Sequence, residues 1–349
     1  MLQTNQANLQ MAVVPESEAE ITAQWTNKND IVVSILCTAF NHQKYIHDAL
    51  NGFLIQQTSF AFEVIIHDDA STDDTASIIK EYQQRFPSII KPIYQEKNTY
   101  TQNLDSMVEW MVPKAQGKYF ALCEGDDFWI DPSKLQKQYY ALEEKKTCDV
   151  CFHPVITLFS DGSTSLKNFH RKDSWLVPIE LVITGGGGFM PTASLFMRRE
   201  AMQQYADFIL HYGFFTVTDT LLQFVGAQRG GALFLPSADA VYRVMSVGSY
   251  SAKIKKNALF LKQMSLEIIR LNESIDDYSN SKYHLLFEQK LHQIIKKLVT
   301  NPLLAKTDRN HFFQTYRKYL PQKRWLTIQI ITFLKKVKLQ GTNLLRSNT

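Results

Sequence analysis

Cysteine is scarce in this chain, and long apolar runs are missing. Only Cys37, Cys123, Cys148 and Cys151 occur in 349 residues, each in or beside an apolar segment. That excludes a disulfide scaffold and makes a reducing, cytoplasmic setting the expectation. Cys148 and Cys151 have the gap of a zinc or redox pair, but no second cysteine pair or His-x-x-x-His accompanies them, so they read as strand packing. No stretch approaches the ~20 apolar residues of a membrane-spanning helix. Residues 1–29 are polar and lack the basic start and apolar core of a secretory signal, so a flexible tail is expected. Acidic residues are absent after Asp308, where nine Lys and Arg remain. The rest of the chain then holds 29 basic against 34 acidic residues, the reverse of the overall +4. A basic tail carrying Phe312, Phe313, Tyr316, Tyr319, Trp325 and Phe333 suits an anionic membrane face. It equally suits a C-terminal helical region that packs its apolar side and solvates its lysines.

What is present is ordinary globular composition, 45% hydrophobic and 21% charged, with length for one large domain and an appendage. Ile31 to Leu36 is a β-branched run suited to a central parallel strand. Tyr45, Ile46, Ala49, Leu50, Phe53 and Leu54 then recur at helical spacing. Strands are expected at Phe62–His67, Ile89–Tyr94 and Tyr119–Cys123, with helices through Ile78 and Tyr82 and over 103–116. Asp131 as N-cap and Pro132 as first helical residue predict the next helix start. Strand and helix alternating in units of roughly 30 residues predict right-handed β-α-β crossovers and a mostly parallel sheet. Beyond residue 150 the pattern is less regular. Strands are expected at 150–159, 189–198 and 240–245, a helix opening at Thr218-Asp219, and helices from about Lys253.

Carboxylates gather where the strands end. Asp68-Asp69 follows the second strand, and Glu124-Gly125-Asp126-Asp127 follows the fourth. Adjacent acids at a buried strand tip repel one another and lose solvation, so a positive partner should offset the cost. A divalent cation carrying phosphate oxygens fits, because Mg²⁺ and Mn²⁺ prefer oxygen ligands. Ligands of such sheets bind beyond the carboxyl ends of the strands. Ala39-Phe40, Asp68-Asp69 and Asp126-Asp127 should therefore share one rim.

These residues resemble the family 2 glycosyltransferases of the GT-A fold, from about Ile31 to about Tyr250. Val33 to Asn41 is similar to the family's opening strand and Pro-Thr-Tyr-Asn-like turn, with Cys37 for the usual Pro and Phe40 for the usual Tyr. Val64 to Asp73 resembles the Val-Asp-Asp-Gly-Ser-Thr-Asp segment. Glu124 to Asp127 stands in the place of the Asp-x-Asp motif, Thr218-Asp219 at the later acidic position, and Tyr242-Arg243-Val244 at the segment that closes the site. The resemblance implies an α/β GT-A domain, Rossmann-like, with a mostly parallel central sheet flanked by helices. It would occupy 30–250, split into a nucleotide-binding half (30–130) and an acceptor-binding half (131–250), before a helical C-terminal region (251–349).

Carried over by that resemblance, Asp127 binds Mn²⁺ or Mg²⁺, and Asp126 contacts the donor ribose or sugar; the two roles are exchangeable. Asp69 accepts a hydrogen bond from the imide N–H of the base, favouring uracil or thymine over cytosine, with Thr38 and Phe40 framing it. Asp219 is the catalytic base of an inverting transfer from a nucleotide sugar to a glycan or lipid-linked glycan hydroxyl in surface polysaccharide synthesis. Arg243 pairs with the diphosphate or with a carboxylate. Trp129 is a candidate wall of the sugar pocket, though packing is the commoner role of such a residue. The run Gly185–Gly188 lacks the Gly-Lys-Ser/Thr ending of a phosphate loop and reads as a mobile acceptor-side loop, with Thr192 and Ser194 as sugar contacts. No nucleic acid is expected as a partner. A sugar-phosphate nucleotidyltransferase would need a Gly-rich basic loop after the first strand, which Cys37–Asn41 does not supply. A phosphoacceptor receiver would be shorter and carry an acid on its third strand. A catalytically silent sugar-nucleotide binding module is the harder alternative, and Asp219 is the feature against it.

Overall fold

A computed structural model describes Leu9, residues 12–244 and residues 257–320. The chain divides into two compact units, 1–247 and 248–349. The first unit opens with the short helix α1 (Glu18–Thr22) and then alternates β1 (Ile31–Ala39), α2 (Ile46–Leu54), β2 (Ala61–Asp68), α3 (Thr75–Arg85) and β3 (Ile90–Tyr94). A π-helical turn at Met107–Met111 runs into α4 (Val112–Lys114) and β4 (Tyr119–Leu122). β1 pairs in parallel with both β2 and β4, and β2 with β3. All of β2 and most of β1 are buried, which is why these strands read as continuous apolar runs rather than alternating ones.

The second part of this unit is built differently. It comprises β5 (Phe128–Trp129), α5 (Lys134–Glu144), β6 (Val150–Phe152), β7 (Val155–Leu158), β8 (Thr164–Lys167), β9 (Trp175–Val177), α6 (Ile179–Gly185), β10 (Phe196–Arg198), α7 (Arg199–Tyr212), α8 (Asp219–Ala227), β11 (Ala232–Phe234) and β12 (Ala240–Arg243). The large sheet runs β3-β2-β1-β4-β10-β6-β11-β9, with β10 antiparallel to both of its neighbours. A second sheet, β5-β12-β7-β8, stands beside it.

Several local expectations change. The strand expected over 150–159 breaks at His153-Pro154 into β6 and β7, which belong to different sheets. Proline has no N–H for the ladder, so the chain leaves one sheet there and joins the other. The stretch 189–198 is strand only over its last three residues. α5 starts at Lys134 rather than Pro132, because Asp131 Oδ1 accepts the Ser133 N–H (2.7 Å) and hydroxyl (2.6 Å) in a side-chain turn that uses up the capping group. The N-terminal stretch is not a free tail from Glu18 onward. Ile21 is buried, Trp25 meets Phe62 edge-on at 5.4 Å, and Thr26 N–H donates to the Ser59 carbonyl at 2.9 Å. Residues 1–8, 10 and 11 lie outside the described residues.

The second unit holds helices Ala258–Tyr278, His284–Val299 and Lys306–Thr315. Ile269, Leu291, Ile295, Leu298 and Phe312 form its core, and Asn257 caps the first helix by accepting the Phe260 N–H at 3.0 Å. Phe312 is therefore a core residue. The basic stretch past 320, with Trp325 and Phe333, lies outside the described residues. Among the described residues, no helix is long and apolar enough to cross a membrane.

Candidate active site

The site begins with two backbone hydrogen bonds. The Ala39 carbonyl, at the end of β1, accepts the Asp69 N–H, and the Thr38 carbonyl accepts the Gly125 N–H, both at 2.9 Å. Asp69 and the acidic turn after β4 thus flank the tip of β1, on one rim. Gly125 makes this approach possible. A Cβ there would come within 2.9 Å of His42 Nδ1 and Ile46 Cδ1.

Asp127 is only 2% exposed. Its Oδ1 accepts the Arg243 N–H at 2.8 Å, while Oδ2 is buried without a hydrogen-bond partner. Burial pushes its carboxyl well above the usual range, with Asp126 and Glu124 adding to the shift. Glu124, by contrast, is exposed at the rim. Lost solvation, then the charges of Asp126 and Asp219, push it up to about 8.

Arg243 ties the turn down. Its Nη1 donates to the Asp126 carbonyl at 2.7 Å, its Nη2 pairs with Asp48 on α2, and its guanidinium lies over Phe128 (4.3 Å) and Tyr45 (5.2 Å). The carboxylate it pairs with is therefore Asp48, 195 residues away in sequence, and no local signal announces that partner.

Asp219 opens α8, with Thr218 as its N-cap. The Thr192 hydroxyl, expected from sequence as a sugar contact, donates to Asp219 Oδ1 at 3.0 Å and so holds this carboxylate. Burial raises the Asp219 carboxyl, and Thr192 and Lys167 act against that rise. Lys167 was missed from sequence, whereas Tyr242 was expected only as part of the segment that closes the site. Lys167 Nζ lies 4.8 Å from the centre of the Tyr242 ring. The Tyr242 phenol is raised by burial and then by Asp127, Glu124, Asp126 and Asp219, so this ring sits within electrostatic reach of all four acids.

Other expectations fare differently. Trp129 is fully buried: its Nε1 donates to the Ala193 carbonyl at 2.9 Å, and its ring meets Phe53 edge-on at 4.9 Å. It is core, not a pocket wall. Ser194 is also fully buried, donating to the Pro191 carbonyl at 2.6 Å, so it shapes a turn instead of touching sugar. The run Gly185–Gly188 is anchored, not loose. Gln223 Nε2 donates to the Gly187 carbonyl at 2.5 Å, and Asn168 Nδ2 to that of Gly188 at 2.7 Å. Gly187 lies against Asp219, whose Cβ would be 3.3 Å from a Cβ added there. Asp69 Oδ1 accepts the Thr99 N–H at 2.6 Å, and Phe40 is 44% exposed at the rim. Thr38, half-buried, contributes the carbonyl that receives Gly125.

With this geometry in place, the first unit is an α/β fold with an acidic rim at the ends of its parallel strands. Residues 34–206 match the model for glycosyl transferase family 2, and the chain belongs to that family. It is 36% identical over 211 residues to the uncharacterized protein Rv1520 of Mycobacterium tuberculosis, covering 60% of this chain and 58% of that protein. It is 31% identical over 115 residues to the Escherichia coli UDP-Glc:alpha-D-GlcNAc-diphosphoundecaprenol beta-1,3-glucosyltransferase WfaP, covering 33% of this chain and 43% of that one. The matches thus span less than two thirds of these relatives' lengths. Among solved structures, S. aureus TarS 1–349 in complex with UDP-GlcNAc superposes with a TM-score of 0.54 at 15% identity, over 89% of this chain and 92% of that one. That likeness shows the GT-A fold.

Proposed function

We propose that this chain is a metal-dependent inverting glycosyltransferase. It moves a hexosyl or hexosaminyl group from a UDP-linked donor to a hydroxyl of a glycan or lipid-linked glycan in surface polysaccharide synthesis. The observation that carries the reading is the single rim on which Asp69, Glu124, Asp126 and Asp127 flank the tip of β1. The donor and acceptor named for WfaP and the family membership support the same class.

The residues present fit a divalent cation. Asp127 offers a buried carboxylate oxygen without a partner, and Asp126 stands beside it. Among the described residues no group of three or more His, Cys, Asp or Glu is arranged to hold an ion unaided, so oxygens of the donor diphosphate would complete the set. Bound there, Mn²⁺ or Mg²⁺ would supply neutralisation of charge on the departing diphosphate. Asp69 has lone pairs beyond those given to Thr99 and Tyr100, enough to accept the uracil imide N–H. Phe40 gives an exposed aromatic face for stacking, and Thr38 borders it.

Asp219 takes the proton of the acceptor hydroxyl as that oxygen attacks the anomeric carbon from the side opposite the diphosphate. One base and one departing group on opposite sides give inversion. Thr192 holds the carboxylate, and Arg243 keeps the acidic turn in register through Asp48 and the Asp126 carbonyl. The acid-free stretch after Asp308 suits peripheral binding to the inner face of a cell membrane, which would bring a lipid-linked acceptor close. The domain halves proposed from sequence, 30–130 for donor and 131–250 for acceptor, follow the same logic.

The test is a pair of variants assayed with a panel of UDP-sugars, with and without Mn²⁺. Asp127→Ala should lose metal-dependent donor binding by thermal shift. Asp219→Asn should retain that binding yet lose about 10²–10⁴-fold in transfer, the span general-base catalysis commonly supplies. Full transfer by Asp219→Asn would end the base assignment.

A further inference from the structure

Behind Asp219 lies a buried hydrogen-bond chain that the proposed reaction does not use. Tyr205, on α7, is fully buried, and its hydroxyl donates to Asp105 Oδ2 at 2.5 Å. Asp105 is 7% exposed, and its other oxygen accepts the N–H groups of Met107 (3.0 Å) and Val108 (3.1 Å). The Tyr205 hydroxyl is also hydrogen-bonded to the Thr218 side chain. A phenol has one proton, and here it goes to Asp105. The Thr218 hydroxyl must therefore donate to Tyr205, giving a one-way chain from Thr218 through Tyr205 to Asp105.

Thr218 is no ordinary neighbour of the site. Its carbonyl accepts the N–H groups of Leu221 (2.9 Å) and Leu222 (3.0 Å), forming the first turn of α8, and Asp219 is the next residue. Its side chain makes no capping bond to its own helix, the usual task of a threonine at this position. It points back to Tyr205 instead. At the far end, the π-helical turn that Asp105 caps carries Trp110, whose ring lies 5.6 Å from His67 beside Asp68 on the donor-side rim. Burying a phenol and a carboxylate together costs desolvation unless each is satisfied. A sequence could meet the packing need here with phenylalanine and leucine.

We propose that Asp105 and Tyr205 are positioning residues. Through Thr218 they fix the first turn of α8 and so hold the Asp219 carboxylate where an acceptor hydroxyl would meet it. The proposal rests on the base role of Asp219 given above. In it, Asp105 sets the direction of the Tyr205 proton, Tyr205 fixes the Thr218 side chain, and Thr218 fixes the turn. Donor binding does not depend on the chain directly. Its loss therefore acts on kcat and leaves donor KM in place.

The first readout is hydrogen exchange at the Leu221 and Leu222 amides, which needs no substrate. Thr218→Val, which removes the hydroxyl without opening a cavity, and Tyr205→Phe should each speed exchange there by about tenfold, the effect of losing one hydrogen bond. Thr218→Ser should restore protection, and the double variant should be no worse than either single one. Unchanged exchange in Thr218→Val, or additive effects in the double variant, would overturn the chain. The second readout is UDP release from UDP-glucose, where kcat should fall about tenfold with KM unchanged, whereas equal loss in both, or a lower Tm with normal kcat, marks a merely structural contact. Asp219→Asn separates the two ideas: if it spares turnover the base role fails, whereas normal exchange in Thr218→Val defeats the positioning role alone.

Discussion

The two halves of the first unit, proposed to serve donor and acceptor, reach the same rim by different means. On the donor side, β1, β2 and β4 bring Asp69 and the acidic turn together through backbone bonds, Asp69 N–H to Ala39 and Gly125 N–H to Thr38. On the acceptor side, side chains do the positioning. Thr192 holds Asp219, Gln223 and Asn168 pin the glycine run, and Tyr205 meets Thr218. A backbone frame depends on register and tolerates many side chains. A side-chain frame fails one residue at a time. Substitutions that spare packing should therefore be costlier in the second half, and three measurements bear on that contrast.

The largest effect concerns Lys134 at the start of α5, which is fully buried. Its ammonium donates to Gln138 Oε1 at 2.7 Å, and Gln138 Nε2 donates to the Ser194 carbonyl at 2.8 Å, next to the turn that carries Thr192. Burial lowers its pKa to about 8; Cys123, Asp239 and Cys151 oppose that shift, and Lys137 adds to it. His153 also faces it. A lysine depressed in the folded state is charged in both states below about 8, where the burial penalty is full. It is neutral in both above the unfolded value of 10.5, where the penalty is gone. Stability should therefore rise between pH 8 and 10.5, by roughly 3 kcal/mol if the whole shift is expressed. Lys134→Met should lack that rise. Buried Cys123 and Cys151, both raised, pull the other way as pH climbs, and subtracting the variant's denaturation curve removes their share. Parallel curves would show that this ammonium is not buried in solution.

Gln223 is the next test. It is 1% exposed, gives its Nε2 to the Gly187 and Met190 carbonyls, and accepts the Met190 N–H at 3.3 Å. Gln223→Ala should cost roughly 2 kcal/mol in stability, because it strands buried backbone groups. Transfer should fall further than donor affinity, since Gly187 abuts Asp219. An equal fall in donor affinity would break the division between the halves.

The same division explains what could be read from sequence. β1, β2 and β4 were legible because strands covered on both faces must be apolar along their length, and the acids at their ends stood out directly, with their roles following from resemblance to a family. The second sheet was not. β5 has two residues, and its partner β12 lies 111 residues later, so no window of sequence contains the pairing. Trp129 shows the limit of residue type as a guide, since an indole serves equally as sugar platform or core, and only its bond to Ala193 decides. Lys167 left no local signal, because it meets Tyr242 through sheet register and not spacing.

The smallest effect lies on the donor side and runs in the opposite direction. Ala70 follows Asp69 with φ of 60°, in the left-handed region, where the family's similar segment has glycine. A Cβ there costs roughly 1–2 kcal/mol, while glycine's extra freedom in the unfolded chain returns about 0.5–1 of that. Ala70→Gly should thus stabilise the protein by about 0.5–1 kcal/mol, read as a higher denaturation midpoint with an unchanged slope. Donor affinity should stay the same, because Asp69 is held by its own N–H to Ala39 and by Thr99 at its carboxylate. If affinity falls as stability rises, the strain at Ala70 belongs to donor recognition, and the donor half depends on a particular residue after all.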